Sequence, residues 1–299
     1  MIRAKLAPLA ALAAVCASAS ARAESGFSLL NMPQGVTEIS RKIYALHMEI
    51  FWVCVAIAVV VFGVMFWSIF KYRKSQGAVP DVTLVHNTKV EFIWTVVPVI
   101  ILIAMAVPAA RTLVEIEDTT NTELTIKVTG FQWGWQYDYL DDGVLYYSRL
   151  DRASDAAREM NSGIDPHSVP HYLLNVDHPL VVPVDTKVRL LITGADVIHS
   201  WWVPDFGVKK DAIPGFINEA WFRVDKDKPG MYRGQCAELC GRDHGFMPIV
   251  VDARSKEDFA GWLKATAAQQ KAAAPAAATP PAATPATGKR AAPASPSAS

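Results

Sequence analysis

Hydrophobic and polar positions divide the chain into stretches of different rhythm. Leu6 to Val15 is apolar, preceded by Arg3 and Lys5 and followed by Ala21-Arg22-Ala23. A basic start, a short apolar run and an A-x-A pattern predict an export signal over residues 1–23, with the mature chain beginning near Glu24. That run falls well short of the ~20 residues needed to cross a bilayer. Ile50 to Phe70 contains no charged residue and is flanked by Glu49 and by Lys71, Arg73 and Lys74. Phe92 to Ala110 is a second uncharged stretch, ended by Arg111. Each is long enough to cross a membrane as one helix, and Trp52, Trp67 and Trp94 lie near the ends, where amphipathic rings favour the interface. The pattern predicts a transmembrane helical hairpin over residues 46–112, with spans at about 48–71 and 91–111.

Beyond Leu113 the rhythm shortens. Glu123 to Thr129, Lys187 to Thr193, Glu219 to Val224 and Pro248 to Val251 are alternating or β-branched runs separated by Pro, Gly and Asp. They predict an all-β sandwich or barrel over residues 113–271. Ser255-Lys256-Glu257-Asp258 reads as a capping box opening a closing helix that runs to about Lys271. Residues 272–299 are almost entirely Ala, Pro, Thr and Ser, too poor in large apolar side chains to build a core, and are expected to form a disordered tail. No internal repeat is present.

Lys plus Arg equals Asp plus Glu, so bulk charge gives no argument for nucleic-acid binding. A cleaved signal followed by two spans puts residues 24–45 and everything after the hairpin on the extracytoplasmic side. Lys71, Arg73, Lys74 and Lys89 in the connecting loop agree with the positive-inside tendency, although Arg41, Lys42 and Arg111 make the bias mild. Cys16 falls in the signal and Cys54 in the first span, which leaves Cys236 and Cys240 as the exported cysteines.

Those two belong to Cys236-Ala-Glu-Leu-Cys240-Gly-Arg-Asp-His244-Gly-Phe-Met247, with two thiols, an imidazole and a thioether in one loop. Thiolate and thioether select soft or borderline ions, and imidazole suits copper as well as zinc. In an oxidising compartment the two cysteines could instead form a disulfide. A structural zinc site is chemically sensible, but the spacing departs from the usual pairings and gives Met247 no role.

This loop, together with His199 in Asp196-Val-Ile-His-Ser-Trp-Trp-Val-Pro204, resembles the dinuclear copper (CuA) site of the cytochrome c oxidase subunit II family. The resemblance extends from about Ile43 to about Trp262 and includes Phe131-Gln-Trp-Gly-Trp-Gln-Tyr137, Lys210-Asp-Ala-Ile-Pro-Gly215 and Phe246-Met-Pro-Ile249. It implies a cupredoxin-like Greek-key barrel or sandwich behind the two-helix hairpin. It also implies Cys236 and Cys240 as bridging thiolates, His199 and His244 each on one copper, and Met247 and the Glu238 carbonyl as weak ligands. The Glu238 side chain would point to a magnesium ion at the boundary with subunit I. Further implications are cytochrome c as donor, subunit I and other oxidase subunits as partners within membrane lipid, and proton-translocating oxygen reduction in the assembled enzyme. The location expected is the inner membrane of a bacterium, with both termini and the copper domain on the periplasmic side.

Phe131, Trp133, Trp135, Tyr137 and Tyr139 occupy alternate positions, as if five rings shared one face of a strand. Core packing explains most such stripes, and the resemblance singles out Trp133 as the ring through which electrons enter. Asp138, Asp141, Asp142, Asp177 and Asp196 are expected to include an acidic docking patch for basic cytochrome c, although solvated turns explain each singly. Glu91 begins the second span, where a carboxylate favours a helix N-terminus; the resemblance also puts it at the mouth of a proton path. Among rival readings, a quinol oxidase subunit would lack the copper ligands, and nitrous oxide reductase carries a large propeller that does not fit here. A fused-haem version would need C-x-x-C-H, which does not occur. A membrane-anchored copper carrier or assembly protein would use similar soft ligands in an exposed, exchangeable site.

Overall fold

The computed structural model describes residues 31–79, 82–83 and 85–273. The export signal expected at 1–23, residues 24–30 of the N-terminal segment and the tail beyond 273 lie outside the described residues. Two long helices come first, α1 (Glu38–Lys71) and α2 (Thr88–Glu117). Both start earlier than the uncharged stretches alone predict, because capping rather than hydropathy sets their first turn. Thr37 accepts from the Ser40 backbone N–H and Ser40 returns the bond, while Asn87 accepts from Lys89 and Val90. Pro98 and Pro108 lie inside α2. The apolar side chains of both helices are largely exposed, as a bilayer-facing surface requires. Both helices are long and apolar enough to span a membrane.

The β-domain packs two five-stranded sheets face to face. The first holds β1 (Leu124–Phe131), β2 (Gly134–Tyr139), β3 (Val144–Ser148), β5 (Val188–Gly194) and β8 (Asn218–Phe222) in the order β3-β2-β1-β5-β8. The second holds β4 (Leu180–Pro183), β6 (His199–Val203), β7 (Val208–Ala212), β9 (Gly230–Cys236) and β10 (Pro248–Arg254) in the order β4-β10-β9-β6-β7. β1 runs parallel to β5 and β10 parallel to β4, whereas the other neighbours are antiparallel. This is the predicted class, a helical hairpin followed by a cupredoxin-like sandwich. The alternation read from the sequence is real: Leu124, Ile126 and Val128 are buried and the residues between them are not. Trp135, Tyr137, Trp201, Phe206, Leu190 and Ile249 fill the space between the sheets. Complete burial of one such large apolar side chain contributes roughly 1.5–3 kcal/mol.

The five-ring stripe is not one strand. The chain reverses at Gln132-Trp133, so Phe131 ends β1, Trp133 sits in the turn, and only Trp135, Tyr137 and Tyr139 share the buried face of β2. Period-two spacing continues unbroken through a two-residue turn, which is why the pattern concealed the reversal.

Two further helices close the domain. α3 (Arg152–Arg158) is capped by Asp151 and lies in the excursion between β3 and β4. α4 (Lys256–Ala273) begins at the predicted cap, where Ser255 Oγ accepts from the Asp258 N–H at 3.0 Å. Its Phe259 and Trp262 cover Tyr139.

The hairpin is seated on the sandwich by backbone and charge. Val36 N–H donates to the Asp205 carbonyl at 2.9 Å, and Thr37 Oγ1 to the Phe206 carbonyl at 2.8 Å. Arg41 pairs with Asp225 and Lys210 with Glu117 at 2.8 Å, while Lys42 with Glu115 at 2.8 Å ties the two long helices to each other. Gly207 permits the approach: a Cβ there would lie 2.9 Å from the Ser40 Cα, and its φ of +68° also favours glycine.

Candidate metal centre

The soft side chains converge at one end of the sandwich because the strand ends bring them there. β6 begins at His199 and β9 ends at Cys236, with Trp201 paired to Cys236 across the ladder. The chain then loops through Cys240 to a 3₁₀ turn at His244–Phe246 and re-enters the sheet at Pro248. Ligand atoms of His199, Cys236 and Cys240 lie within 4.8 Å of one another, and all three residues are buried. Cys240 Sγ is 3.9 Å from Cys236 Sγ, 3.5 Å from His244 Nδ1 and 3.3 Å from Met247 Sδ. The Cys236 Sγ also lies 3.3 Å from the Glu238 carbonyl, whose own side chain is exposed. All six expected positions therefore meet at one locus, and both cysteines are free thiols.

The His199 ring is pre-aimed. His199 Nε2 is held by Asp196 Oδ1 at 2.9 Å, which leaves the fully buried Nδ1 without a protein hydrogen-bond partner. A carboxylate on the outer ring nitrogen fixes orientation and raises basicity at the inner one. Gly130 on β1 lies directly beneath: a Cβ there would sit 2.9 Å from His199 Cγ and Cδ2. Trp135 packs edge-on against the same imidazole, 6.1 Å between ring centres.

The electrostatics are asymmetric. Burial pushes the Cys236 thiol up, but the nearby His199 ring and hydrogen bonds with the adjoining backbone outweigh it and leave the thiol below its ordinary value. Cys240 is pushed up to about 12 by burial and by the neighbouring Cys236 charge. Burial lowers His199, yet the adjacent Cys236 sulfur and the bond to Asp196 overcome this and raise it. Burial likewise raises Asp196, but the bond to His199 and the Val197 and Gln132 backbone N–H groups bring it below the usual carboxylate range. Two thiols, two imidazoles and a thioether in a dry pocket form a donor set suited to copper. The orphaned Nδ1 of His199 fits such an occupant.

Trp133 adjoins this centre. Its indole N–H donates to the Cys240 carbonyl at 3.2 Å, and the Gln132 amide donates to the same oxygen at 2.9 Å. Gln132 N–H also donates to Asp196 at 2.8 Å, so the β1–β2 turn is tied to both halves of the cluster. Gly241 lets the ring approach: its φ is +116°, and a Cβ there would lie 3.3 Å from Trp133 Cζ2. Gln132, Gly130 and Gly241 were not singled out by the sequence reading. The two glycines flank the aromatic turn and the second cysteine, and that flanking was the available signal.

The acids expected at a docking surface sit on several elements. Asp138 lies near the end of β2 away from Trp133, five residues along and roughly 17 Å at 3.3 Å per residue, and Asp141 and Asp142 lie in the turn beyond it. Asp177 accepts from the Arg149 and His178 backbone N–H groups. Asp196 is engaged with His199 and Gln132. Around Trp133 itself lie Arg242, 5.7 Å over its ring, and Arg149, Asp155, Arg158 and Asp243 lining an adjoining cavity. Glu91 is remote from all of these, on the first turn of α2, where its carboxylate accepts from the Asn87 N–H at 3.1 Å. This arrangement satisfies the helix-capping explanation for Glu91.

Comparison with known proteins agrees with the geometry. Residues 124–254 match the family model described as cytochrome c oxidase subunit II, periplasmic domain, and residues 26–112 match its transmembrane domain. A probable cytochrome c oxidase subunit 2 of Rickettsia prowazekii is 43% identical over 225 residues, covering 75% of this chain and 68% of that protein. Cytochrome c oxidase subunit 2 of Cereibacter sphaeroides is 33% identical over 266 residues, covering 84% and 87%. The crystal structure of the periplasmic domain of subunit II of cytochrome oxidase of Bradyrhizobium japonicum is 41% identical, with a TM-score of 0.42, covering 50% of this chain and 96% of that one. The two family-model matches together span most of the sequence, and with the identity to full-length relatives they show that this membrane-anchored chain belongs to the cytochrome c oxidase subunit II family.

Proposed function

We propose that this chain is the electron-accepting subunit of a cytochrome c oxidase, holding a dinuclear copper A centre at the mouth of its β-domain. The observation that carries the reading is the convergence of His199, Cys236, Cys240, His244 and Met247 around one buried locus, with His199 Nδ1 left free to bind. Cys236 and Cys240 would bridge, His199 and His244 would each bind one copper, and Met247 and the Glu238 carbonyl would complete the set. When bound, the copper pair supplies a one-electron carrier between an external cytochrome c and the haem-bearing subunit I. The exposed Glu238 carboxylate supports a magnesium ion shared with subunit I.

The protein's own contribution is rigidity. Strand ends fix His199 and Cys236, and Asp196 fixes the ring, so the donors need not rearrange when the oxidation state changes. Burial excludes water from both sulfurs and argues against an exchangeable copper carrier. Trp133 is the route by which electrons enter, supported by its hydrogen bond to the carbonyl of Cys240. The β-domain and both chain ends would face the periplasm, residues 46–112 would cross the inner membrane, and Glu91 would lie on the cytoplasmic side near proton uptake. Asp138, Asp141, Asp142 and Asp177 would contribute to a docking surface for cytochrome c, while Asp196 is engaged with His199 and Gln132.

Metal analysis and electron paramagnetic resonance on the purified oxidase test this reading. Two coppers per chain sharing one unpaired electron are expected. Zinc, a single copper or a disulfide between Cys236 and Cys240 would overturn it.

A further inference from the structure

The loop between Cys240 and Met247 carries half of the donor set, yet the sheet holds it only at its ends. Its middle is gripped from outside by a residue that belongs to neither sheet. Arg158, the last residue of α3, lays its guanidinium over the Phe246 ring at 4.5 Å and reaches Asp243 Oδ1 at 3.8 Å. Asp243 immediately precedes His244, and Phe246 immediately precedes Met247. One guanidinium therefore touches both neighbours of the two donors on this turn. Its own position is fixed by Asp155 Oδ1 at 2.7 Å, one turn back on α3.

The contact is partly withdrawn from water. The Arg158 and Asp243 side chains retain 23% and 15% of their exposure. A stacked guanidinium contributes more when desolvated than at an open surface, and its planar fork can serve a carboxylate and a ring together. α3 is itself anchored: Ser154 and Ala157 are buried, and Ser154 Oγ accepts from the Leu173 N–H at 3.2 Å. The cavity lined by Trp133, Leu150, Asp155, Arg158, Asp243 and Phe246 puts this clamp next to the indole as well.

We propose that Arg158 is a positioning residue that clamps the His244–Met247 turn and thereby sets the geometry of two copper donors. The proposal rests on the copper reading above. Arg158 touches no donor atom and acts only through Asp243 and Phe246. Lysine keeps the charge but loses the planar fork, so Arg158→Lys should restore the proton-exchange behaviour only in part.

The test compares wild type, Arg158→Ala and Arg158→Lys in the assembled oxidase and in its copper-stripped form. Without copper, amide exchange across residues 241–247 should quicken about tenfold in Arg158→Ala while the β10 amides keep their wild-type protection. With copper, the hyperfine pattern and midpoint potential of the centre should shift while copper content stays at the wild-type value. Unchanged exchange together with an unchanged spectrum would overturn the clamp. A wild-type enzyme lacking the paired-copper signal would instead overturn the reading beneath it, so the two failures are distinguishable. If Arg158→Ala fails to assemble, Phe246→Leu removes the stack and leaves the ion pair; wild-type exchange in that variant would refute the stacking half of the clamp.

Discussion

At the scale of single residues, the proposed copper centre rests on side chains outside its donor set. Gly130→Ala is the sharpest probe of this. Its new Cβ would arrive 2.9 Å from the His199 ring, inside any real contact distance, and the imidazole is already packed edge-on by Trp135, the cross-strand partner of Gly130. Overpacking of this kind costs about 1–3 kcal/mol, so the domain should fold while the ring is displaced. Copper affinity should fall and the hyperfine splitting from His199 should change; an unaltered spectrum would show that β1 has room to yield. Asp196→Asn tests the same imidazole from its far nitrogen. Loss of an outer carboxylate commonly lowers metal affinity by about 10–100-fold. If Asp196 were instead a docking charge, the substitution would leave copper binding untouched and raise the KM for cytochrome c at low salt. Trp133→Phe keeps a ring but loses the hydrogen bond to the Cys240 carbonyl. It should retain both coppers while turnover with cytochrome c falls by roughly an order of magnitude; turnover at the wild-type rate would remove the indole from the route.

At the scale of elements, the features that repeat with a fixed period were legible and those made by a turn were not. Alternation marked β1, β5, β8 and β10, and the uncharged runs marked both long helices. The ligand loop stood out because soft donors are rare enough to be noticed together. The β1–β2 reversal was hidden because Trp133 falls in phase with the rings on either side. Sequence proximity of Asp138, Asp141 and Asp142 likewise says nothing about which end of a strand they occupy. Arg158 was invisible because its role depends on α3 folding against a loop far along the chain. The junction between α2 and the sandwich shows how such distant contacts can be tested by pH. Hydrogen bonds from Arg189 and Thr119 hold Glu219 below its ordinary value, against the opposing effect of burial. A carboxylate with a depressed folded-state value contributes stability above its unfolded value of about 4.3, which is lost as pH falls through the folded one. Protection of residues 118–123 from exchange should therefore weaken on acidification below about pH 4, and in Glu219→Gln that dependence should disappear. Equal acid sensitivity in both proteins would assign the effect to another group.

At the scale of the whole molecule, the order of construction matters: the sandwich makes the site, and the metal does not make the sandwich. The buried cluster from Leu124 through Phe222 to Phe259 joins both sheets and α4, and most of it lies well away from the soft donors. His199 and Cys236 are strand residues with ladder partners of their own, so their backbone is fixed whether or not an ion is bound. This distinguishes the domain from small zinc modules, in which ligand binding supplies the folding free energy. Removal of copper with a cuprous chelator should therefore leave the far-ultraviolet circular dichroism unchanged and lower the thermal midpoint. Copper restored at one hundred times its dissociation constant should recover at least about 2.7 kcal/mol, the amount that mass action provides for a single site. The loss of order should be confined to the loop from Ala237 to Met247, where hydrogen exchange would rise while β1, β5 and β9 stay protected. Collapse of protection across both sheets would mean that the metal, and not the packed interior, holds the two sheets together.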